Sequence, residues 1–299
     1  MQDKRLAYLN EFLEAFSFPE EARDCLLDVY GKVLSDSQVQ NAFFELVTKY
    51  EKDMLTPWEE LLLEAEGVAK GLDLPANTFV LLFLIFLTEA LKSYYTQAGI
   101  DEKIWRDTVA DLKYKAVENK LVYGVWGVVD RAWFCRFFQM RRFGFDLLQF
   151  EIVKFKGDEH YEKNGVILTK DDDVINVHIP RTGGKLEYSK VLKSYRLASA
   201  FFADYFKGKK VVFVCKSWML FPRNKEFLAP DSNLALFISD FEVLSVGYYD
   251  DYSWCWRIFN TKEKDLNKLP RTTSLQRRYV DLMKRGEKTG WAYGIFIFE

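Results

Sequence analysis

A chain of 299 residues with 42 Lys and Arg against 44 Asp and Glu has a formal charge of −2, without the basic excess that a phosphate backbone demands, so no nucleic-acid partner is expected. A hydrophobic share of 49%, with 16 Tyr and 26 Phe, excludes a disordered chain, and the length favours two domains, each able to bury a core. Cys25, Cys135, Cys215 and Cys255 are widely spaced with no Cys-x-x-Cys pair, and only His160 and His178 offer imidazoles. A metal site is therefore not expected, and reduced thiols in a cytoplasmic setting are.

Charges from Asp3 to Glu11 interrupt the apolar stretch that an export signal needs, so none is expected. Ser17 with Glu20, Ser35 with Gln38 and Thr56 with Glu59 have the capping-box spacing; Pro57 takes a first helical position, and Pro75 and Asp101 mark two more starts. Helices follow near 3–16, 19–33, 37–51, 57–72, 76–96 and 102–117. The most apolar run, Phe79 to Leu87, spans nine residues before Thr88 and Glu89, short of the ~20 that cross a bilayer; it reads as a core helix, with no membrane partner expected. The charged residues of these helices read as solvated faces, and this part of the chain as a scaffold or lid.

Beyond residue 120 a further helix is expected over 122–139, and after Gly144 the pattern turns to strands. Short β-branched and aromatic runs at 147–155, 165–169, 174–179, 211–217, 243–249, 253–259 and 292–298 are bounded by turns such as Asn164-Gly165 and Asp171 to Asp173. Helices near 187–206, 232–241 and 272–285 fall among them. The expected fold class is α+β or α/β: an all-helical domain over 1–118, then a mixed sheet flanked by helices over 119–299.

Between the strand ending at Ile179 and the helix from 187, Arg181-Thr182-Gly183-Gly184-Lys185-Leu186 supplies two glycines and a cation. Backbone N–H groups at a helix start are orphan donors that attract an anion, and glycine lets a phosphate approach. A Gly-Gly turn that merely reverses the chain is the alternative.

This order of elements, with Leu148-Gln149-Phe150-Glu151, Val177-His178-Ile179-Pro180, Cys215 to Pro222 and Ser232-Asn233-Leu234, resembles the GNAT (Gcn5-related N-acetyltransferase) fold of two-domain bacterial acyltransferases with a helical N-terminal domain. The resemblance covers nearly the whole chain. It implies transfer of an acyl group from acetyl-CoA or another acyl-CoA to a small-molecule or peptide amine, with Ile179 to Leu186 around the pyrophosphate. The GNAT signature Arg/Gln-x-x-Gly-x-Gly/Ala is matched at Arg181 and Gly184, while Leu186 replaces the last small residue. Many GNAT enzymes protonate the leaving thiolate with a tyrosine on the helix after the fifth strand; the comparable turn here offers Asp240. A binding or protein-interaction module that kept the scaffold without catalysis is the alternative reading.

Attack by an amine on a thioester needs a base near the amine proton. His178 shares a strand face with Asn176 three residues before the turn, and an imidazole exchanges protons near neutral pH, so it is the first candidate; a structural histidine is the alternative. Glu151, on a face with Gln149, is the second, either catalytic or ion-paired with Arg141, Arg142 or Arg181. Ser217 ends the strand 211–217 where such folds admit ligands, without the Gly-x-Ser-x-Gly elbow of a nucleophile. Ser232 and Asn233 read as helix caps.

Overall fold

The computed structural model describes residues 2–71, 73–157 and 160–298; Leu72, expected to end the fourth helix, lies outside them. Seven helices come first: α1 (Gln2–Ala15), α2 (Glu20–Ser35), α3 (Ser37–Lys52), α4 (Trp58–Gly71), α5 (Ala76–Gln97), α6 (Glu102–Val109) and α7 (Asp111–Tyr123). They are followed by a 3-10 turn, Arg131–Phe134, and a short α8 (Cys135–Phe138). The chain forms two compact units, one to Gly144 and one from Phe145.

In the first unit α5 packs against α1, α2, α3, α4, α6, α7 and α8, and every residue from Thr78 to Thr88 is buried. Its 22 residues are long and apolar enough to cross a bilayer by length and composition, yet here its sides are covered by the surrounding helices. A helix apolar all round needs such cover.

Local chemistry moves several of the expected caps. Asp36, not Ser35, caps α3, its carboxylate accepting from Gln38 and Val39 N–H at 2.8 and 3.1 Å. Ser35 and Thr56 turn back to donate to the carbonyls of Lys32 and Asp53, and α2 starts at Pro19 with no side-chain cap. A charged acceptor outcompetes a hydroxyl that can satisfy itself on the preceding turn. Asp101 caps α6 as expected. The expected helix 102–117 is two, joined at Ala110, whose carbonyl accepts from both Lys113 and Tyr114 in a tightened turn.

The helix expected over 122–139 does not form as one element. Gly124 closes α7 in the left-handed region at φ 77°. The following segment is then held to the start of α5: Val128 N–H donates to the Asn77 carbonyl at 3.1 Å and the Thr78 hydroxyl to that of Trp126. Later residues of the segment accept from Trp58 and Tyr50 side chains at Arg131 and Phe138. These bonds keep residues 124–141 with the helical unit, so the units part later than the 118/119 division read from the sequence.

The second unit is built on strands β1 (Arg142–Phe145), β2 (Leu148–Lys154), β3 (Tyr161–Lys163), β4 (Val166–Leu168) and β5 (Asp173–His178), then α9 (Tyr188–Phe206), β6 (Val212–Ser217), α10 (Asn224–Phe227), α11 (Asn233–Asp240), β7 (Glu242–Tyr248), α12 (Trp256–Phe259), α13 (Ser274–Lys284) and β8 (Gly290–Ile297). Six strands form one mixed sheet in the order β1-β2-β5-β6-β8-β7, and β3 pairs with β4 in a separate hairpin. β5 and β6 run parallel, joined through α9, while β2–β5, β6–β8 and β7–β8 are antiparallel. The strand expected over 253–259 is instead a 3-10 turn, Ser253–Cys255, leading into α12. Trp254, Cys255, Ile258 and Phe259 recur at helical spacing and pack with Tyr279, Val280 and Met283 of α13.

The faces of the sheet differ. Phe150, Phe213 and Phe296 meet Tyr195 of α9 on one face. On the other, Val166 and Leu168 of the hairpin pack with Val174, Val212, Val214, Tyr293 and Ile295.

Gly127 tests the clamp on α5, because a Cβ there would fall 2.5 Å from the Asn77 carbonyl carbon and 2.7 Å from Thr78 N, both backbone atoms. Gly127→Ala is expected to lower stability in urea denaturation by about 1–3 kcal/mol, the usual cost of overpacking. Gly67→Ala, with open space at the added methyl, serves as the control and should be neutral or slightly stabilising.

Candidate active site

Strands β2 and β5 are antiparallel with Gln149 opposite His178 and Glu151 opposite Asn176. Alternation puts these four side chains on the hairpin face, beyond the part of it that the hairpin covers. His178 Nε2 lies 2.9 Å from Glu151 Oε1, and the Asn176 amide nitrogen lies 3.4 Å from the same oxygen and 3.0 Å from the imidazole. The Glu151 side chain is 6% exposed and that of His178 18%. A buried carboxylate needs charge-assisted donors, and here it has an imidazole and an amide. With Glu151 ionised and the proton on Nε2, Nε2 donates to it and the lone pair sits on Nδ1; the Asn176 amide nitrogen, 3.0 Å from that same Nε2, then donates to Glu151 and not to the ring. The two candidate bases of the sequence are thus in contact with one another.

Their position follows from how β5 and β6 pair. The ladder joins Ile175 to Phe213 and Asn176 to Val214, whereas β5 continues to His178 and β6 to Ser217. The strands part where His178 stands. Ser217 is not brought to the pair: it lies in register with Ala292 on the α9 face, and its hydroxyl accepts from Met219 N–H at 3.1 Å, capping a 3-10 turn.

After His178, residues Ile179 to Glu187 form an open loop ahead of α9. Gly183 is left-handed at φ 80°, and Gly184 N–H donates to the Thr182 hydroxyl at 3.3 Å. Gly183, Gly184 and Lys185 are exposed; Ile179, Arg181, Thr182 and Leu186 are partly covered. The first helical N–H is already taken, since Tyr188 N–H donates to the Asn233 side-chain carbonyl at 3.2 Å. Any phosphate here falls to the loop amides and cations rather than to that donor. Ser232 caps α11 through Ala235 N–H, as expected, while Asn233 serves α9. Among the described residues no three His, Cys, Asp or Glu side chains converge as a metal site.

Residues 141–296 match the family profile of the GNAT-like C-terminal domain, and residues 7–140 that of the N-acyltransferase N-terminal domain. The chain belongs to this N-acyltransferase family. No curated protein matches it by sequence. Among solved structures it is similar to an acyltransferase in complex with decanoyl-CoA and teicoplanin, at 19% identity and a TM-score of 0.73, over 97% of this chain and 87% of that one. An acyltransferase mutant in complex with octanoyl-CoA gives 19% identity and a TM-score of 0.72 over the same shares. At such identity the likeness shows a common fold.

A tyrosine does reach the end of α11 where the GNAT pattern leads one to look for it, but from another helix. Tyr188 of α9 donates its hydroxyl to Asp240 Oδ1 at 2.5 Å. Only three-dimensional contact reveals this, because the two residues lie 52 positions apart in the chain. Burial pushes the Tyr188 phenol up to about 12, and its bond to Asp240 adds to the rise. Burial also lifts the Asp240 carboxyl to about 6, against the lowering effect of the hydrogen bond from Tyr188.

A carboxyl whose folded pKa exceeds its unfolded one binds more protons when folded, so its contribution to stability falls as pH rises from about 4 through about 6. Asp240→Asn is expected to flatten that part of the stability profile. Allowing for the partial exposure of the group, it should gain on the order of 1 kcal/mol at pH 7. Thermal melts from pH 4 to 8 (a window set by carboxyl pKa values near about 4) that run parallel for the two proteins would show that Asp240 does not titrate in this way.

Proposed function

We propose that this N-acyltransferase moves an acyl group from an acyl-CoA to a primary amine, with His178 as general base and Glu151 as its orienting carboxylate. The observation that carries the reading is the buried His178–Glu151 contact of 2.9 Å at the point where β5 and β6 part. The similar structures support acyl-CoA as donor, since they are complexes with decanoyl-CoA and octanoyl-CoA, and teicoplanin accompanies decanoyl-CoA in one.

In this scheme the parted strands admit the thioester arm, and the loop around Arg181, Gly183, Gly184 and Lys185 takes the pyrophosphate through amides and cations. A neutral amine attacks the thioester carbonyl carbon; its proton passes to Nδ1 of His178, and the imidazolium is stabilised by Glu151. The new C–N bond remains as the C–S bond breaks, and CoA leaves as a thiolate. Tyr188, raised to about 12, gives no driving force for protonating that thiolate, because a free thiol lies near 8.5. A cytoplasmic place belongs to the same proposal: all four cysteines are free thiols, and acyl-CoA is an intracellular donor.

Two variants separate binding from chemistry. Arg181→Glu should weaken decanoyl-CoA binding in calorimetry by about tenfold or more, by replacing an attraction to phosphate with a repulsion; unchanged affinity in a folded variant removes the cradle from Arg181. His178→Gln should keep acyl-CoA affinity and lower kcat by about 10²–10⁴-fold. That deficit should shrink at high pH, where the acceptor amine is already neutral. A deficit that does not change with pH would instead mark a structural histidine.

A further inference from the structure

On the hairpin face of the sheet the strand next to that of His178 carries a cation. Val214 is in register with Asn176, so alternation puts Lys216 of β6 on the same face as His178 of β5, each two residues beyond the last paired position, where the strands part. Lys216 is exposed, and its ammonium sits 3.7 Å from the centroid of the Trp291 ring. Trp291 is seated in turn on β7: Gly247 is its partner in the ladder, and a Cβ there would fall 2.3 Å from the indole. The missing side chain at Gly247 leaves room for the ring, and the ring holds the ammonium. Among the described residues no carboxylate is paired with Lys216.

The anion suited to this charge is not the CoA pyrophosphate of the scheme above. Beyond His178 the chain turns to α9, which packs on the opposite face through Tyr195 against Phe150 and Phe213. Lys216 faces the side where the amine must approach His178.

We propose that Lys216, held on Trp291, binds an acidic group of the acceptor, so that the acceptor is an amine bearing a carboxylate close to the nitrogen, as an α-amino acid does. This inference rests on the acyl-transfer reading. Paired strands lie about 4.8 Å apart and these two have begun to part, so an amine and a carboxylate carried on the same or neighbouring carbons can reach one strand each through hydrogen bonds to His178 and Lys216. The ammonium of Lys216 also disfavours a charged amine beside it, which helps deliver the neutral nucleophile. In the step itself the carboxylate is a spectator: C–N forms, C–S breaks, and the amine proton goes to His178.

The test uses the full chain with decanoyl-CoA as donor and three matched acceptors: phenylalanine, phenylalanine amide and phenethylamine. Thiol release and product mass are the readouts. Phenylalanine should exceed both others in kcat/KM by about tenfold or more, chiefly through KM, the scale of a charge-assisted contact. The amide keeps the neighbouring carbonyl and loses the charge, with a less basic amine, while phenethylamine has an amine slightly more basic than that of phenylalanine, so a preference over both does not follow amine basicity. Lys216→Met, which keeps the length of the side chain, should bring the three acceptors within about twofold while its decanoyl-CoA affinity and Tm stay those of the parent. Trp291→Leu should give part of that loss.

Equal use of the three acceptors by the parent protein overturns the inference. So does a Lys216→Met protein that loses the same factor on all three, or one that binds decanoyl-CoA more weakly, or a parent that binds decanoyl-CoA yet acylates no carboxylate-bearing amine. If the parent binds no acyl-CoA at all, the acyl-transfer reading fails and takes this inference with it.

Discussion

Two parallel strands that pair at only two positions organise the second unit. A parallel pair needs a long crossover, and α9 provides it, packed across one face. Where β5 and β6 stop pairing after Asn176 and Val214, their backbone groups no longer satisfy one another. Backbone groups left without a strand partner must be satisfied by something else. The same parting sets His178 at the end of one strand, starts the glycine loop directly after it, and leaves the two faces free to take different parts of the reaction.

The polar groups of the sheet are costly in isolation and therefore come in sets. Glu151 is buried on a strand whose next residues lead into an apolar cluster, and it is tolerable because an imidazole and an amide converge on one of its oxygens. Asp240 solves the same problem differently: its carboxyl is pushed toward neutrality and held by Tyr188. The first arrangement keeps a carboxylate next to an imidazole. The second ties the start of α9 to the end of α11, a link reinforced by Asn233.

Much of this was legible in the sequence where a local rule dominates. Period-two alternation put Asn176 with His178 and Gln149 with Glu151 on shared faces, and the strands at 148–154, 173–178, 212–217 and 290–297 lie close to the expected runs. The order of elements carried the GNAT resemblance that the family profiles bear out. What stayed hidden depends on distance along the chain. Nothing local shows that Glu151 and His178 touch, because that is fixed by the β2–β5 register, and nothing shows that Tyr188 meets Asp240. The aromatic run at 253–259 looked like a strand by composition, whereas its burial follows the spacing of a helix packed on α13. Residues 122–139 looked helical by their apolar stripe, yet Gly124 ends the helix in the left-handed region and Gly127, lacking a Cβ, lets the backbone lie against α5 instead.

The strand order has a consequence for how the protein is made. β8, which follows every other strand in the chain, lies in the interior of the sheet between β6 and β7. Until the ribosome has released the residues up to Ile297, β6 and β7 each lack a neighbour, and Val214, Phe213 and the aromatic face around Tyr195 remain open on that side. At roughly 5–20 residues per second the nascent chain spends seconds in that state. The helical unit, complete by Gly144, can fold while it waits. The second unit can close only after translation has passed its last strand, so its yield in the cell depends on whatever shields those unpaired strand edges in the interval.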